Sequence, residues 1–145
     1  MLVLLIGPYL GTRLWGRVRR NGQRAAAAIG LGALFVFTGV GHFIKTHPMS
    51  EMLPPWVPIR VVLVYLSGVL ELLLAMGFFI RETRRITGWV TMLVLLLFFP
   101  LNIYSALNYI PMGGHEWGPV YLWVRGPLQG LILLWIYRFT ISNEA

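Results

Sequence analysis

The 145-residue sequence predicts an all-α protein: a polytopic membrane four-helix bundle with a short additional apolar helix at its N-terminus. Three observations carry that reading. Hydrophobic residues make up 57% of the chain and charged residues 12%, with a mean hydropathy of +0.72, more apolar surface than one soluble core of this size encloses. The apolar residues gather in runs of about 20, the length a helix needs to cross a hydrocarbon layer roughly 30 Å thick. The net charge of +7 comes mainly from arginines in short segments between those runs, which is a membrane-orienting pattern and not a basic face for nucleic acid.

Residues 1–24 form the first unit. MLVLLIGPYLGT is apolar but interrupted by Gly7, Pro8 and Gly11 and falls short of a full span, so it reads as a short helix that half-inserts or barely crosses. It lacks the basic start and small-residue cleavage site of a secretory signal, and Arg19-Arg20 likewise leads to no such site. Residues 13–24 carry five arginines. The second unit, residues 25–145, holds the four spans. The first is 25–44, AAAAIGLGALFVFTGVGHFI. A proline-rich loop from Lys45 to Pro58 follows, with Pro58 placed to open the second span, because a missing N–H does no harm in a first turn. The second span, 61–80, ends in the basic turn RETRR, and a third covers about 86–108. The segment YIPMGGHEWG breaks the helix with glycines and a proline before a fourth span from Pro119 to Ile141.

Charge asymmetry orients the bundle. Nine arginines (13, 17, 19, 20, 24, 81, 84, 85 and 138) collect at one end, and only Lys45, Arg60 and Arg125 belong to the other. The arginine-rich loops are therefore expected in the cytoplasm and both long loops outside. Trp56, Tyr109, Trp117 and Tyr121 fit the outer boundary, and Trp15, Trp135 and Tyr137 the inner one.

Within this frame Glu71 is the residue that needs a reason. A carboxylate at mid-membrane depth costs on the order of 2.5 to 3.5 kcal/mol, so such groups face a bundle interior and find a partner. At about 1.5 Å of rise per residue, His42 lies within a turn of the outer end of its span; Asn102 and Arg125 lie deeper, Gln129 a turn deeper again, and Glu71 deeper still. Residues three or four apart share a helix face. Thr38 and His42 form one such stripe, Ser67, Gly68, Glu71 and Ala75 a second, Asn102, Ser105 and Ala106 a third, and Arg125 and Gln129 a fourth. Small residues beside polar ones mark helix contacts in membranes, so the four stripes are expected to converge, with Glu71 paired to Arg125 and ringed by His42, Asn102 and Gln129. Pro100 and Pro127 lie beside these residues and free the carbonyls of Leu96 and Trp123.

Two readings of the cluster stay open: a ligand site made of His42, Glu71, Asn102, Arg125 and Gln129, or a clamp between helices. His47, Glu51, His115 and Glu116 are of metal-ligand type but read as solvated loop residues, with His42 a hydrogen-bonded helix end, so no metal site is assigned. The pairs Gly7/Gly11 and Gly126/Gly130 are expected to pack inside the bundle rather than along a dimer seam. No phosphate loop, nucleophilic triad or paired-carboxylate pattern is present, so no catalytic residue is assigned. With no cysteine the chain has no thiol chemistry of its own.

The strings FVFTGVGHF, MLPPWVP, LVYLSGVLELLLAMGFFI followed by TRR, and FPLNIYSAL occur in the order seen in the DoxX family of small bacterial membrane proteins, which the chain resembles over about residues 30–110. R-x-P-L-Q at 125–129 agrees more loosely. The resemblance implies a four-helix bundle in the bacterial inner membrane and a link to redox or stress-response complexes. The family takes its name from a subunit of an archaeal thiosulfate:quinone oxidoreductase, and distant animal relatives act as assembly chaperones. Two functions follow as expectations. One is a non-catalytic membrane subunit whose outward-facing polar pocket binds a quinone or lipid-like molecule, alone or with a protein partner. The other is an assembly chaperone or interaction partner whose polar cluster is purely structural. A transporter is disfavoured by the small size and the lack of an internal repeat.

Overall fold

A computed structural model describes residues 2–14 and 20–142, and the described residues are helical apart from short connections. Helix α1 is Leu2–Leu14, α2 is Arg20–Ile44, α3 is Thr46–Glu51, α4 is Arg60–Phe79, α5 is Arg84–Leu107 and α6 is Leu122–Ile136. A 3-10 segment, His115–Tyr121, leads into α6, and a π turn, Tyr137–Ile141, closes it. Among the described residues four helical stretches are long and apolar enough to span a membrane: Gly22–Ile44, Arg60–Phe79, Arg84–Leu107 and His115–Ile141. The expected spans are thus present. Two details differ from the sequence reading. The proline-rich loop contains α3, and α4 begins at Arg60, two residues after Pro58, because Ile59 adopts a left-handed conformation (φ 48°, ψ 36°) that turns the chain into the helix. Trp15, Arg17 and Arg19 lie outside the described residues.

Helix α2 is the centre of the arrangement, packed along α4 on one flank and α1 on another. Glycines let α2 and α4 approach closely. A Cβ on Gly68 would sit 2.8 Å from His42 Cβ and 3.2 Å from the Gly39 carbonyl, so the two backbones meet where neither has a side chain. Below that crossing the faces interlock as one apolar core: Leu31, Leu34 and Phe35 of α2 against Leu74, Ala75 and Phe78 of α4, closed by Val94, Ile132 and Ile136. Leu5 of α1 is 1% exposed within this core, and Tyr9 packs on Trp135 and Phe139 with ring centroids 5.2 Å away in each case. The N-terminal helix is therefore part of the bundle and not an appendage.

The tight α4–α5 turn shows why TRR follows that span. A helix leaves its last carbonyls without partners, and here Thr83 Oγ1 donates to Gly77 O (2.8 Å) while Arg84 Nε donates to Phe78 O (2.9 Å). At the far end of the bundle, called here the loop end, Ser105 Oγ donates to Leu101 O (2.8 Å) and to Met52 O (3.2 Å), tying α5 to the chain that leaves α3.

Candidate polar site at the loop end

The site is built at the Gly39–Gly68 crossing, with His42 on its loop side and Glu71 on the other. Because that crossing brings the α2 and α4 backbones together, His42 and Glu71, each about one turn from it, are forced to face one another. His42 Nδ1 lies 3.8 Å from Glu71 Oε2, with the side chains 15% and 13% exposed. The imidazole is already committed, since Nδ1 donates to the Thr38 carbonyl at 2.9 Å, one turn back along α2. The His42–Glu71 contact is therefore a close electrostatic one, and Glu71 Oε2 makes no hydrogen bond among the described residues.

Arg125, expected as the direct partner of Glu71, is set back from it. Among the described residues no ion pair joins the two, yet the guanidinium lies within electrostatic range of the carboxylate, as does the Thr38 hydroxyl. The reason is packing. α4 packs on α2, α3 and α5, whereas Arg125 enters from α6, whose main contacts are the segments flanking it and α5. Arg125 Nε is also buried without a hydrogen bond among the described residues. Its charge reaches a further group, the His115 imidazole.

His115 overturns the reading of a solvated loop histidine: it is 3% exposed. The loop folds back over itself on three glycines with positive φ: Gly113 (62°), Gly114 (96°) and Gly118 (67°). Two also accommodate rings, since a Cβ on Gly114 would collide with Tyr121 and one on Gly118 with Tyr109. His115 is thereby pressed against Tyr121, ring centroids 4.8 Å apart, with Nδ1 donating to the Met112 carbonyl. With a proton on Nδ1, Nε2 is the acceptor nitrogen whenever the ring is neutral, and Nε2 too is buried without a partner among the described residues.

Asn102 and Gln129, expected around Glu71, are buried, but their amide nitrogens serve α5. Asn102 Nδ2 donates to Phe98 O (2.9 Å) and Gln129 Nε2 to Leu95 O (2.7 Å), next to the Leu96 carbonyl that Pro100 deprives of its usual donor. Both amides thus tend the backbone of the proline-containing helix. His47 and Glu51 pair at 3.5 Å on the exposed face of α3, and Glu116 is exposed. No three His, Asp or Glu side chains gather into a metal-binding group among the described residues. Gly7, Gly11, Gly126 and Gly130 would meet nothing within 4 Å if given a Cβ, so these glycines do not pack within the bundle as expected. The close approaches use Gly32, Gly39, Gly68, Gly77 and Gly88 instead.

A family model described as a domain of unknown function, DUF8561, matches residues 31–140. The chain belongs to that family. The DUF8561 region contains His42, Glu71, Asn102, His115, Arg125 and Gln129 and excludes α1 and the first half of α2. No curated protein and no solved structure matches the chain. His115 is the residue of this region that helix spacing could not place, because the sequence reading assigns it to the loop before the fourth span, whereas the apolar stretch of the structure begins at His115 itself. The signal present was its setting, one histidine amid three glycines in six residues, which marks a loop built to turn inward.

Proposed function

We propose that this DUF8561 chain is a non-catalytic, multi-pass subunit of the bacterial inner membrane that binds a quinone- or lipid-like molecule in a polar pocket opening to the outer face. The observation that carries the proposal is the set of three buried polar atoms on three separate elements, Glu71 Oε2, Arg125 Nε and His115 Nε2, that find no hydrogen bond among the described residues while Arg125 stands in electrostatic range of the other two groups. A buried polar group left unpaired costs about 1–3 kcal/mol, so three in one region are an expense that ligand binding offsets. Their chemistry defines the ligand. Arg125 Nε offers a donor, and Glu71 Oε2 and His115 Nε2 offer acceptors, which matches a head group carrying both hydroxyls and an acceptor oxygen, as a quinol does. The apolar body would lie along the lipid-facing helices.

The outward opening is supported by the charge pattern of the sequence, whose nine arginines on one side of the spans favour that side in the cytoplasm and the loop end outside. The resemblance to the DoxX family supports a role beside redox or stress-response enzymes, with any thiol chemistry supplied by a partner, since this chain has no cysteine.

A second reading, an assembly or interaction protein with a structural cluster, is favoured by one observation: His42 and Glu71 reach toward each other across the α2–α4 crossing, where a polar contact would lock helix register. Titration of the protein in lipid nanodiscs with a short-chain ubiquinone analogue and its quinol discriminates. The pocket reading expects tighter quinol binding that is lost in Glu71→Gln. Unchanged affinity in a folded Glu71→Gln protein would sink it and leave the clamp.

A further inference from the structure

A second site lies outside the polar cluster, where α3 meets the first turn of α4. A groove of about 400 Å³ is lined there by His47 and Glu51 of α3 and by Ile59, Arg60, Val61 and Val62. Its chemistry is divided. Glu51 supplies an acid and Arg60 a base, and among the described residues they form no ion pair with each other: Glu51 contacts His47 at 3.5 Å, and Arg60 has no carboxylate within 4 Å. Two opposite charges that line one groove without meeting leave room for a ligand that itself carries both signs. Below them the surface is apolar and open. Val61 and Val62 are each 47% exposed and Leu66 59%, a strip running down the side of a helix long enough to span a membrane. Arg60 is the first residue of that helix, which sets the groove at the level where head groups lie.

We propose that this groove binds the head group of phosphatidylethanolamine, with the phosphate on Arg60, the ammonium on Glu51 and an acyl chain along Val61, Val62 and Leu66. The ligand class follows from the charges. An anionic phosphoglycerol head would satisfy Arg60 but oppose Glu51. A choline head has the right charges but its quaternary nitrogen carries no N–H to give to Glu51. A primary ammonium gives three, and it completes the acid where His47 covers only one side. Ile59 contributes the geometry. A β-branched residue in the left-handed region is uncommon and strained, and here it swings Arg60 onto the same side as α3.

The test is native mass spectrometry of the intact protein released from vesicles of equal parts phosphatidylethanolamine, phosphatidylcholine and phosphatidylglycerol, counting retained lipids. Wild type is expected to retain phosphatidylethanolamine over phosphatidylcholine by on the order of fivefold, the scale of one solvent-exposed charge contact. Glu51→Gln, a change on a half-exposed side chain, should reduce that ratio to about one, and Arg60→Gln should lower retention of both lipids. Glu116→Gln, exposed at the same end, should leave the ratio unaltered. Equal retention of the two lipids by wild type, a preference that survives Glu51→Gln, or dominance of phosphatidylglycerol overturns the proposal. Retention of soluble glycerophosphoethanolamine in preference to the lipid when both are offered at equal concentration would make the free ester the occupant and overturn the lipid assignment. None of these outcomes depends on Glu71, so the test stands apart from that of the polar pocket.

Discussion

Replacing Gly68 by alanine adds a single methyl group at the point where α2 and α4 touch, and the structure sets what that methyl must displace. It would lie 2.8 Å from His42 Cβ, 3.0 Å from Phe43 Cε2 and 3.2 Å from the Gly39 carbonyl oxygen. Two of those three atoms belong to, or are fixed by, the α2 backbone and cannot rotate away, so the helices must separate. Overpacking of this kind costs about 1–3 kcal/mol, against which the better helix propensity of alanine returns no more than about 1. Gly126→Ala is the matched control, because a Cβ there meets nothing within 4 Å and only the propensity gain remains. The assay is thermal unfolding of both variants in the same detergent, followed by the fluorescence of the six tryptophans. Gly68→Ala should unfold at a lower temperature than wild type and Gly126→Ala at the same or a higher one. If Gly68→Ala is as stable as wild type, the close crossing that positions His42 opposite Glu71 is wrong.

Other expectations are local and can be read by the same unfolding assay. Thr91 is fully buried with its hydroxyl unpartnered among the described residues, so Thr91→Val should be neutral or stabilising by about 1 kcal/mol; a clear loss would mean the hydroxyl is bonded. Gln129→Leu removes the 2.7 Å bond to Leu95 O and should cost about 0.5–1.5 kcal/mol, and no loss of stability would count against the amide's role in tending α5. Ile59→Asn places a residue tolerant of the left-handed region at φ 48° on a largely exposed site and should stabilise by about 1 kcal/mol; destabilisation would show that the Ile59 side chain outweighs the backbone cost.

Much of this architecture was legible in the chain because the membrane imposes its own period. Four apolar runs of helical length gave four spans to within a few residues, and the stripe Ser67, Gly68, Glu71 and Ala75 correctly marked a helix contact: Gly68 and Ala75 are buried and Glu71 lies between them. Asn102, Ser105 and Ala106 are likewise all buried. What spacing could not supply is which face meets which. It grouped Gly126 with Gly130 as readily as it grouped Gly68 with Glu71, although only the second pair faces a neighbour. It could set Arg125 and Glu71 on stripes expected to converge, but not foresee that α6 leaves the two without an ion pair. It gave Gln129 to the cluster, when a proline-interrupted helix opposite has a carbonyl region in greater need of a donor. Loops carry no period at all, and so α3 and the burial of His115 emerge only from the three-dimensional arrangement.

The central claim is that the orphaned groups on Glu71, Arg125 and His115 hold a small molecule. It is tested most directly by mass spectrometry of everything extractable from the purified protein, compared with Glu71→Gln, Arg125→Ala and an unrelated bundle handled identically. The account predicts one quinone or hydroxyl-bearing lipid enriched with wild type and lost from both variants while they remain folded. A wild-type extract indistinguishable from that of the unrelated bundle would contradict it and leave the polar cluster as a clamp between helices.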